Sequence, residues 1–516
     1  MITLNLTLSP EEAASDRRIE SAAADAAHIA RDRIAFMRTV RRSVDARRGR
    51  VRISLCVELY IDDEKEPEPL HLEWNDTTGG RRVVIVGAGP AGLFAALRLI
   101  ERGLHPIVVE RGKEVAQRKR DIAALNRNLR LDEDSNYCFG EGGAGTFSDG
   151  KLFTRSKKRG DYRKMLEILH MHGASDEILF DTHPHIGTDK LPRIISAIRD
   201  TIRSAGGEVI TGKRVASLIM ERGCTRGVVT ADGDRIEGEA VVLATGHSAR
   251  DIYRMLHRQN IPLQAKPFAM GVRVEHPQEL IDKIQYKMPS RGEWLPAASY
   301  NLVAQAGGRG VYSFCMCPGG FIVPAATSEG ESVVNGMSPS GRNSKYANSG
   351  IVTEIRLEDT SAYMDEHGVL AGLHYQAELE RLAHNAAADG VTAPAQRLTD
   401  FVNGKASQSL PACSFNPGIV ATDMKRWMPE TIYRPLVEGF KMFDRKMHGF
   451  ITGEAVVVGV ESRTSSPVRI PRDNDTLEHP AVKGLFPAGE GAGYAGGILS
   501  AAMDGERVAD AVANSL

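Results

Sequence analysis

Four consecutive apolar residues, Val83 to Val86, interrupt a mixed polar pattern and predict a strand buried on both faces. Past the turn Gly87-Ala88-Gly89-Pro90-Ala91-Gly92 the apolar residues from Leu93 to Leu99 predict a helix, and a second strand, Pro106 to Val109, ends in Glu110. Each glycine has a distinct task. Gly87 makes the turn, Gly89 leaves room for a pyrophosphate against the backbone, and Gly92 lets the helix pack close to the strand. The helix start then presents free N–H groups and the positive dipole end to phosphate oxygens. An acid at the end of the second strand meets a ribose 2′-hydroxyl and repels a 2′-phosphate, so the unit suits the AMP half of FAD or NAD better than NADP.

Ahead of this unit, residues 1–62 predict a small β-α-β domain. Ile2, Leu4, Leu6 and Leu8 alternate as in a strand, an alanine-rich segment from about Ser15 to Val44 reads as helical, and Val51 to Tyr60 alternates again. The most charged part carries Arg31, Arg33, Arg38, Arg41, Arg42, Arg47, Arg48 and Arg50 against Asp32 and Asp45. Such a run is a possible handle for RNA. A solvated face is the plainer reading, because no aromatic platform is interleaved with it. Residues 63–80 are acidic, then Pro- and Gly-punctuated, as in a linker.

Beyond Glu110 a charged helix is predicted to about Leu131, and the chain then turns glycine-rich: Gly140, Gly142, Gly143, Gly145 and Gly150 fall between Phe139 and Leu152. So many glycines destabilise a regular element, and they predict a loop whose backbone approaches a ligand closely. Ser148, Asp149 and Lys151 stand at its end. A helix from Leu191 to Ile202 follows, capped by Thr188 or Asp189, and His183-Pro184-His185 precedes it as a capping or packing element. Strands at Glu208–Thr211, Val215–Met220 and Gly227–Thr230 read as an antiparallel meander leading into the buried strand Ala240 to Gly246. Lys266 to His276, Gly310 to Cys315 and Phe321 to Val323 read as strands, and His374–Ala387 and Glu430–Lys446 as helices. Glycines return at Gly489, Gly491, Gly493, Gly496 and Gly497, where a last helix opens. No second strand-GxGxxG-helix unit occurs.

Three segments together, the first fingerprint with Glu110, Ala244-Thr245-Gly246, and Pro487-Ala488-Gly489-Glu490, resemble the FAD domain of glutathione-reductase-type flavoproteins. More narrowly, Phe139 to Leu152, Lys266-Pro267-Phe268-Ala269, Gly271 to Pro277, Cys317 to Gly320 and Glu461 to Pro467 resemble the FAD-dependent dehydrogenases often labelled NAD(FAD)-utilising. The resemblance implies an α/β fold: a Rossmann-type FAD domain over residues 81–250 and 457–516, with an α+β substrate cap over 251–456 inserted between the halves. It implies non-covalent FAD, with Gly87, Gly89, Pro90, Ala91 and Gly92 at the pyrophosphate and Glu110 and Arg111 at the adenosine ribose. Gly142, Gly143, Gly145, Thr146, Ser148, Asp149 and Lys151 fall to the flavin region. Ala244, Thr245 and Gly246 complete the floor, and Gly489, Glu490, Gly496, Gly497 and Ile498 fall to the ribityl and pyrimidine side. That family usually carries Asp where this chain has the longer Glu490.

The expected activity is therefore an FAD-dependent oxidoreductase transferring hydride to or from a small organic substrate, with NAD(P)H as a transient donor; a flavin monooxygenase and an RNA-associated flavoprotein are the alternatives. Arg273, His276 and Arg463 are the catalytic candidates, and Arg469 joins them as a possible anchor for an anionic or carbonyl substrate. Each arginine is more ordinarily half of a structural ion pair, and His276 a satisfied core histidine. Cys315 and Cys317 pose the choice between a redox pair, a metal site and plain buried thiols, and the strain of a Cys-x-Cys disulfide favours the last. No metal is expected. At 516 residues, with a net charge of -1 and six scattered cysteines, the composition predicts a cytoplasmic protein of two or three domains, with no global field drawing it to nucleic acid and no segment long enough to cross a membrane.

Overall fold

The computed structural model describes all residues except 48, 69, 129, 155–159 and 388–391. Arg48 of the basic run thus lies outside the described residues.

At the centre is a five-stranded parallel sheet in the order Leu485–Pro487, Ala240–Leu243, Arg82–Val86, His105–Val109 and Glu208–Ile210. Val83, Val84 and Ile85 are wholly buried, as a central parallel strand covered on both faces requires. Helices Pro90–Glu101 and Ile498–Ser515 pack on one face, so closely that a Cβ on Gly505 would lie 2.0 Å from the Ala91 carbonyl oxygen. The expected meander is corrected at its first strand. Glu208–Ile210 joins the parallel sheet, and the antiparallel trio is Val215–Glu221, Cys224–Thr230 and Arg235–Glu237.

The chain leaves this domain through Gln264–Ala265 and returns through Val468–Arg469, two short strands that pair with each other. Between them lies a seven-stranded sheet in the order Val303–Ala306, Arg309–Cys317, Tyr346–Ile355, Phe268–Pro277, Val456–Glu461, Ala393–Arg397 and Ile419–Ala421. Val456–Glu461 pairs antiparallel with Phe268–Pro277, so the cap extends past residue 457 and the return begins after Glu461. The cap is tied down onto the glycine loop: Arg342 makes a bidentate pair with Asp149, and Ser340 donates from both its N–H and its hydroxyl to Asp189. Asp189 is therefore not the cap of helix Leu191–Ser204; that position falls to Lys190, without a side-chain bond. His185 likewise bonds the Ser340 carbonyl rather than the helix, and His183 packs at a tilt of 60° against Phe153.

The amino-terminal unit departs from the expected β-α-β. Helix Asp16–Ala27 ends at His28 in the left-handed conformation (φ 56°), and Ile34–Asp45 is a strand in a three-stranded sheet, paired with Arg52–Ile61. Bulges between Ile34 and Phe36 and between Thr39 and Arg41 disrupt the two-residue alternation, which hides this strand in the sequence. Its guanidinium groups are largely matched: Arg31 pairs with Glu20, Arg33 with Asp62, Arg38 with Glu58, Arg42 with Asp181 and Arg47 with Asp45. Buried residues of this sheet and of the seven-stranded sheet form one continuous apolar cluster.

Within the cap, Glu275 is buried, and Ser414 donates to it from the backbone N–H at 2.7 Å and from its hydroxyl. Burial pushes this carboxyl up to about 7, against the Ser414 bonds. The folded state then keeps a proton that the unfolded chain releases near its ordinary value of 4.5, so stability falls as pH rises from about 4.5 to about 7. Glu275→Gln keeps one acceptor for Ser414 and presents an amide N–H where the second oxygen stood; it is expected to be close to neutral at pH 4 and to stabilise the protein by about 3 kcal/mol at pH 8. Denaturant melts at the two pH values measure this, and equal effects at both would refute it.

Candidate functional site

Three stretches far apart in sequence meet around one cavity of about 390 Å³, within the range of small-molecule and cofactor sites. The first is the turn after the central strand. Gly87 adopts φ 106°, and a Cβ there would lie 2.7 Å from the Ala244 carbonyl oxygen. Gly87, Gly89, Pro90 and Ala91 line the cavity at the start of the helix, so its free N–H end faces the space. Gly92 stands one layer back, where a Cβ would lie 1.9 Å from the Gly87 carbonyl oxygen.

The second stretch is the glycine loop, bonded directly to the first. The Gly142 N–H donates to the Ala88 carbonyl at 2.8 Å, and Gly143 comes so near that a Cβ on it would lie 3.2 Å from the Gly89 Cα. Gly143, Gly145, Ser148, Asp149 and Lys151 line the cavity. Gly142 and Thr146 do not, and they hold the loop's shape: the Thr146 hydroxyl donates to the Glu141 carbonyl at 2.9 Å, and a Cβ on Gly142 would lie 1.9 Å from that hydroxyl oxygen. Burial alone would raise the Asp149 carboxyl, but the charges of Lys151 and Arg342 outweigh it and bring the group down to about 2.

The third stretch closes the cavity. A Cβ on Gly145 would lie 3.4 Å from the Ile498 side chain, and Glu490, Gly496, Gly497 and Ile498 are all in the wall. Gly489 stands behind, its N–H donating to Asp504 at 2.8 Å. Ala244, Thr245 and Gly246 form the floor at the end of the adjoining parallel strand.

Glu110 accepts hydrogen bonds from the N–H groups of Ala88 at 2.9 Å, Gly112 at 3.0 Å and Gly140 at 3.0 Å. A carboxylate offers about four acceptor positions. Three are engaged in holding the turn and the loop together, which leaves about one on a carboxylate that lines the cavity. Arg111 also lines the cavity, paired with Asp134 and Asp251 and stacked 4.1 Å from the Phe139 ring centre.

The catalytic candidates separate. Arg463 is in the wall, with Nε and Nη2 paired to Glu380 at 2.8 Å and Glu331 at 3.1 Å and a buried Nη1 without a hydrogen-bond partner, beside Arg250, which pairs with the same two carboxylates. Arg273 is wholly buried behind the wall and bonded to Glu461 at 2.7 Å. His276 lies in the cap core, with Nε2 at 2.8 Å from the Phe450 carbonyl oxygen, and burial pushes its imidazole down to about 4. Arg469 packs over the Tyr494 ring. Arg273, His276 and Arg469 therefore do not line the cavity. Both Arg273 and His276 belong to Phe268–Pro277, a strand buried at the middle of its sheet, and this removes them from the cavity surface.

Two residues that sequence reasoning missed shape the cavity. Arg118 is discussed below. His247 faces Glu490, with Nδ1 at 3.1 Å from Oε2, while Nε2 lies 2.9 Å from the Arg463 carbonyl oxygen. A carbonyl only accepts, so Nε2 carries a hydrogen and the Nδ1–Oε2 contact shares a single proton. This gives a physical reason for glutamate at 490, since the longer arm spans the distance to His247. Glu490→Asp is expected to lose that contact and weaken FAD binding about tenfold, the equivalent of one broken hydrogen bond. A fluorescence titration of the apoprotein measures this, and undiminished affinity would count against the role.

Residues 81–131 match the family described as FAD binding domain, residues 190–330 FAD dependent oxidoreductase, and residues 267–464 FAD-dependent protein, C-terminal domain-like. Residues 1–60 match a domain of unknown function, DUF8436. An uncharacterized protein of Clostridium beijerinckii is 40% identical over 507 residues, covering 94% of this chain and 93% of its own. Protein FixC of Escherichia coli K12 is 28% identical over 211 residues, covering 39% of this chain and 44% of its own. Among solved structures, a geranylgeranyl bacteriochlorophyll reductase-like protein of Thermoplasma acidophilum is 12% identical with a TM-score of 0.36, over 84% of this chain and 78% of that one. No helix among the described residues is long and apolar enough to cross a membrane. A chain whose glycine segments enclose one nucleotide-sized cavity, and whose sequence matches FAD-binding families on both sides of it, belongs to the FAD-dependent oxidoreductases, in one family with its Clostridium beijerinckii relative.

Proposed function

We propose that the protein is a dehydrogenase or reductase that passes hydride between FAD and a small organic substrate held under the cap, in a glutathione-reductase-type cofactor arrangement and in the cytoplasm. The observation that supports this most is the makeup of the cavity wall. The glycine loop supplies Ser148 and Lys151, the last helix supplies Gly497 and Ile498, and the cap sheet supplies Phe314, Cys315, Asn335 and Gly336 opposite them. Bound FAD supplies two-electron hydride chemistry. The protein's part is to hold and shield it. The turn at Gly87–Gly92 and the Gly143 backbone take the pyrophosphate, Glu110 takes a ribose hydroxyl, and the helix start at Gly497–Ile498 stabilises negative charge that develops nearby. Lys151 adds a cation on the same side, and the cap excludes water.

With only one strand-GxGxxG-helix unit in the sequence, we infer that nicotinamide enters transiently through the open part of the cavity. Anaerobic stopped-flow mixing of the holoenzyme with NADH and with NADPH tests this. Loss of the oxidised flavin's visible absorbance with one of them is expected. Inertness toward both would overturn the nicotinamide donor, and nicotinamide-dependent oxygen uptake coupled to substrate would point to a monooxygenase instead.

A further inference from the structure

The cap side of the cavity carries Cys315, with Cys317 buried behind it. Cys315, Met316 and Cys317 end the strand Arg309–Cys317, where its pairing with Tyr346–Ile355 slips between Phe314 and Cys317 and makes a bulge. Cys315 sits there at φ 46°, a left-handed conformation that a cysteine seldom adopts without being held. The hold is visible: its carbonyl accepts from Arg273 at 3.4 Å, and the next carbonyl, of Met316, accepts from the Lys151 ammonium. Cys315 faces the cavity, and Cys317 is wholly buried. The Cys317 sulfur lies 3.3 Å from the Cys315 carbonyl oxygen and 3.9 Å from the Lys151 Nζ.

In a regular strand, residues two apart have Cα atoms about 6.6 Å from each other, at the far edge of disulfide reach. A bulge shortens that span, so the geometry that made a Cys-x-Cys disulfide implausible in a plain strand is altered here. Both thiols are free, and no group of three metal-binding side chains exists among the described residues. The neighbouring Cys317, with Lys151 and Arg273, holds the Cys315 thiol well below its ordinary range despite burial, and the same pairing pushes Cys317 well above it. One sulfur is thus kept as the nucleophile and the other keeps its proton.

We propose that Cys315 and Cys317 are a redox-active dithiol that exchanges an electron pair with the bound flavin, and that the outside partner is a dithiol reaching Cys315 through the cavity. The inference rests on the FAD reading of the cavity and adds the class of electron partner to it. When the pair closes, the Cys317 S–H bond breaks and the S–S bond forms. Two electrons and the released proton pass to the oxidised flavin, reducing it by two electrons and carrying over, as their sum, the one negative charge that the Cys315 thiolate held. The entering dithiol then attacks the Cys315 sulfur, the accessible one, and leaves as a disulfide after two exchange steps; the Cys315 thiolate and Cys317 thiol are restored and one proton goes to solvent.

The tryptic peptide Gly310–Arg342 contains both cysteines and no other, so its mass reports the pair directly. The holoenzyme is reduced with dithiothreitol, freed of reagent, reoxidised with ferricyanide, quenched with iodoacetamide and digested. The expected peptide is unalkylated and two hydrogens lighter than its dithiol form. In anaerobic stopped-flow mixing with dithiothreitol, Cys315→Ser and Cys317→Ser should each reduce the flavin roughly tenfold or more slowly than wild type, rates being taken per bound FAD. FAD retained with both cysteines alkylated after reoxidation, or equal rates in wild type and Cys315→Ser, would overturn the dithiol alone. A wild-type protein that binds no FAD would overturn the cofactor reading and the dithiol with it. Should a serine variant fail to fold, the wild-type peptide mass still decides.

Discussion

Arg118→Met is expected to strip FAD from the protein and to destabilise it by about 4 kcal/mol or more, a loss of the size seen when a buried charged network is removed. Arg118 is wholly buried, and its guanidinium donates to the carbonyl oxygens of Asn136 at 2.9 Å, Tyr137 at 3.1 Å, Gly140 at 3.3 Å, Glu141 at 2.8 Å and Gly143 at 2.8 Å. Three nitrogens of one planar fork thus gather five carbonyls between Asn136 and Gly143 around a single side chain. Gly140 is part of the fit, since a Cβ there would lie 2.3 Å from the Arg118 Cδ. Burial pulls the guanidinium down to about 10, so it keeps its charge at neutral pH. With methionine in its place the carbonyls turn inward without donors, and Gly143, which closes on Gly89, loses its position. Arg118→Lys, a compact ammonium with three donors, should rescue only part of the effect. FAD content per chain and the thermal midpoint measure both variants. Full retention of FAD by Arg118→Met would remove Arg118 from this role.

The second large effect is expected at Gly92. A Cβ there would lie 1.9 Å from the Gly87 carbonyl oxygen, and that oxygen cannot retreat, because the Gly87 N–H is held by Val109 at 2.9 Å. Gly92→Ala must therefore push the helix off the strand and open the turn that faces the pyrophosphate. Loss of FAD binding with a few kcal/mol of stability is expected. Two comparisons separate the causes. Gly341→Ala, far from any clash, should behave as wild type. Gly246 and Gly496 line the cavity and have nothing within 4 Å, so alanine at either should leave the melting temperature unchanged and lower FAD affinity. Unaltered FAD affinity in Gly92→Ala and in both cavity-side variants would mean that the cofactor does not approach these backbones.

Sequence legibility follows from where each requirement is set. Gly87 and Gly143 were readable because positive φ and a close approach of backbone exclude other residues there, Gly497 because of its φ of 147°, and Gly89 from its place in the glycine pattern, since a Cβ on it would meet nothing nearer than 4.0 Å. Glu110 was readable from its offset after the turn. Arg118 was not, since it sits in a charged helical run, Gln117-Arg118-Lys119-Arg120, whose other members look solvated, and its partners lie 18 to 25 residues on. His247 meets Glu490 across 243 positions, and Arg342 meets Asp149 across 193; no spacing rule reaches so far. Arg273 and His276 looked like substrate anchors because polar residues in an otherwise apolar strand suggest a site. The strand proved central in its sheet, and both are buried there, Arg273 bonded to Glu461 and His276 bonded through Nε2 alone. The amino-terminal strand Ile34–Asp45 was read as helix because two bulges scramble its alternation directly after an alanine-rich helix.

The central claim is that three distant glycine segments enclose one FAD, and the position of that cofactor in crystals of the holoenzyme tests it most directly. The account places a ribose hydroxyl on Glu110, the pyrophosphate against Gly89 and Gly143, and the flavin ring between Lys151 and Gly497. A cofactor bound elsewhere, or one whose pyrophosphate leaves the Gly87–Gly92 turn uncovered, would contradict it.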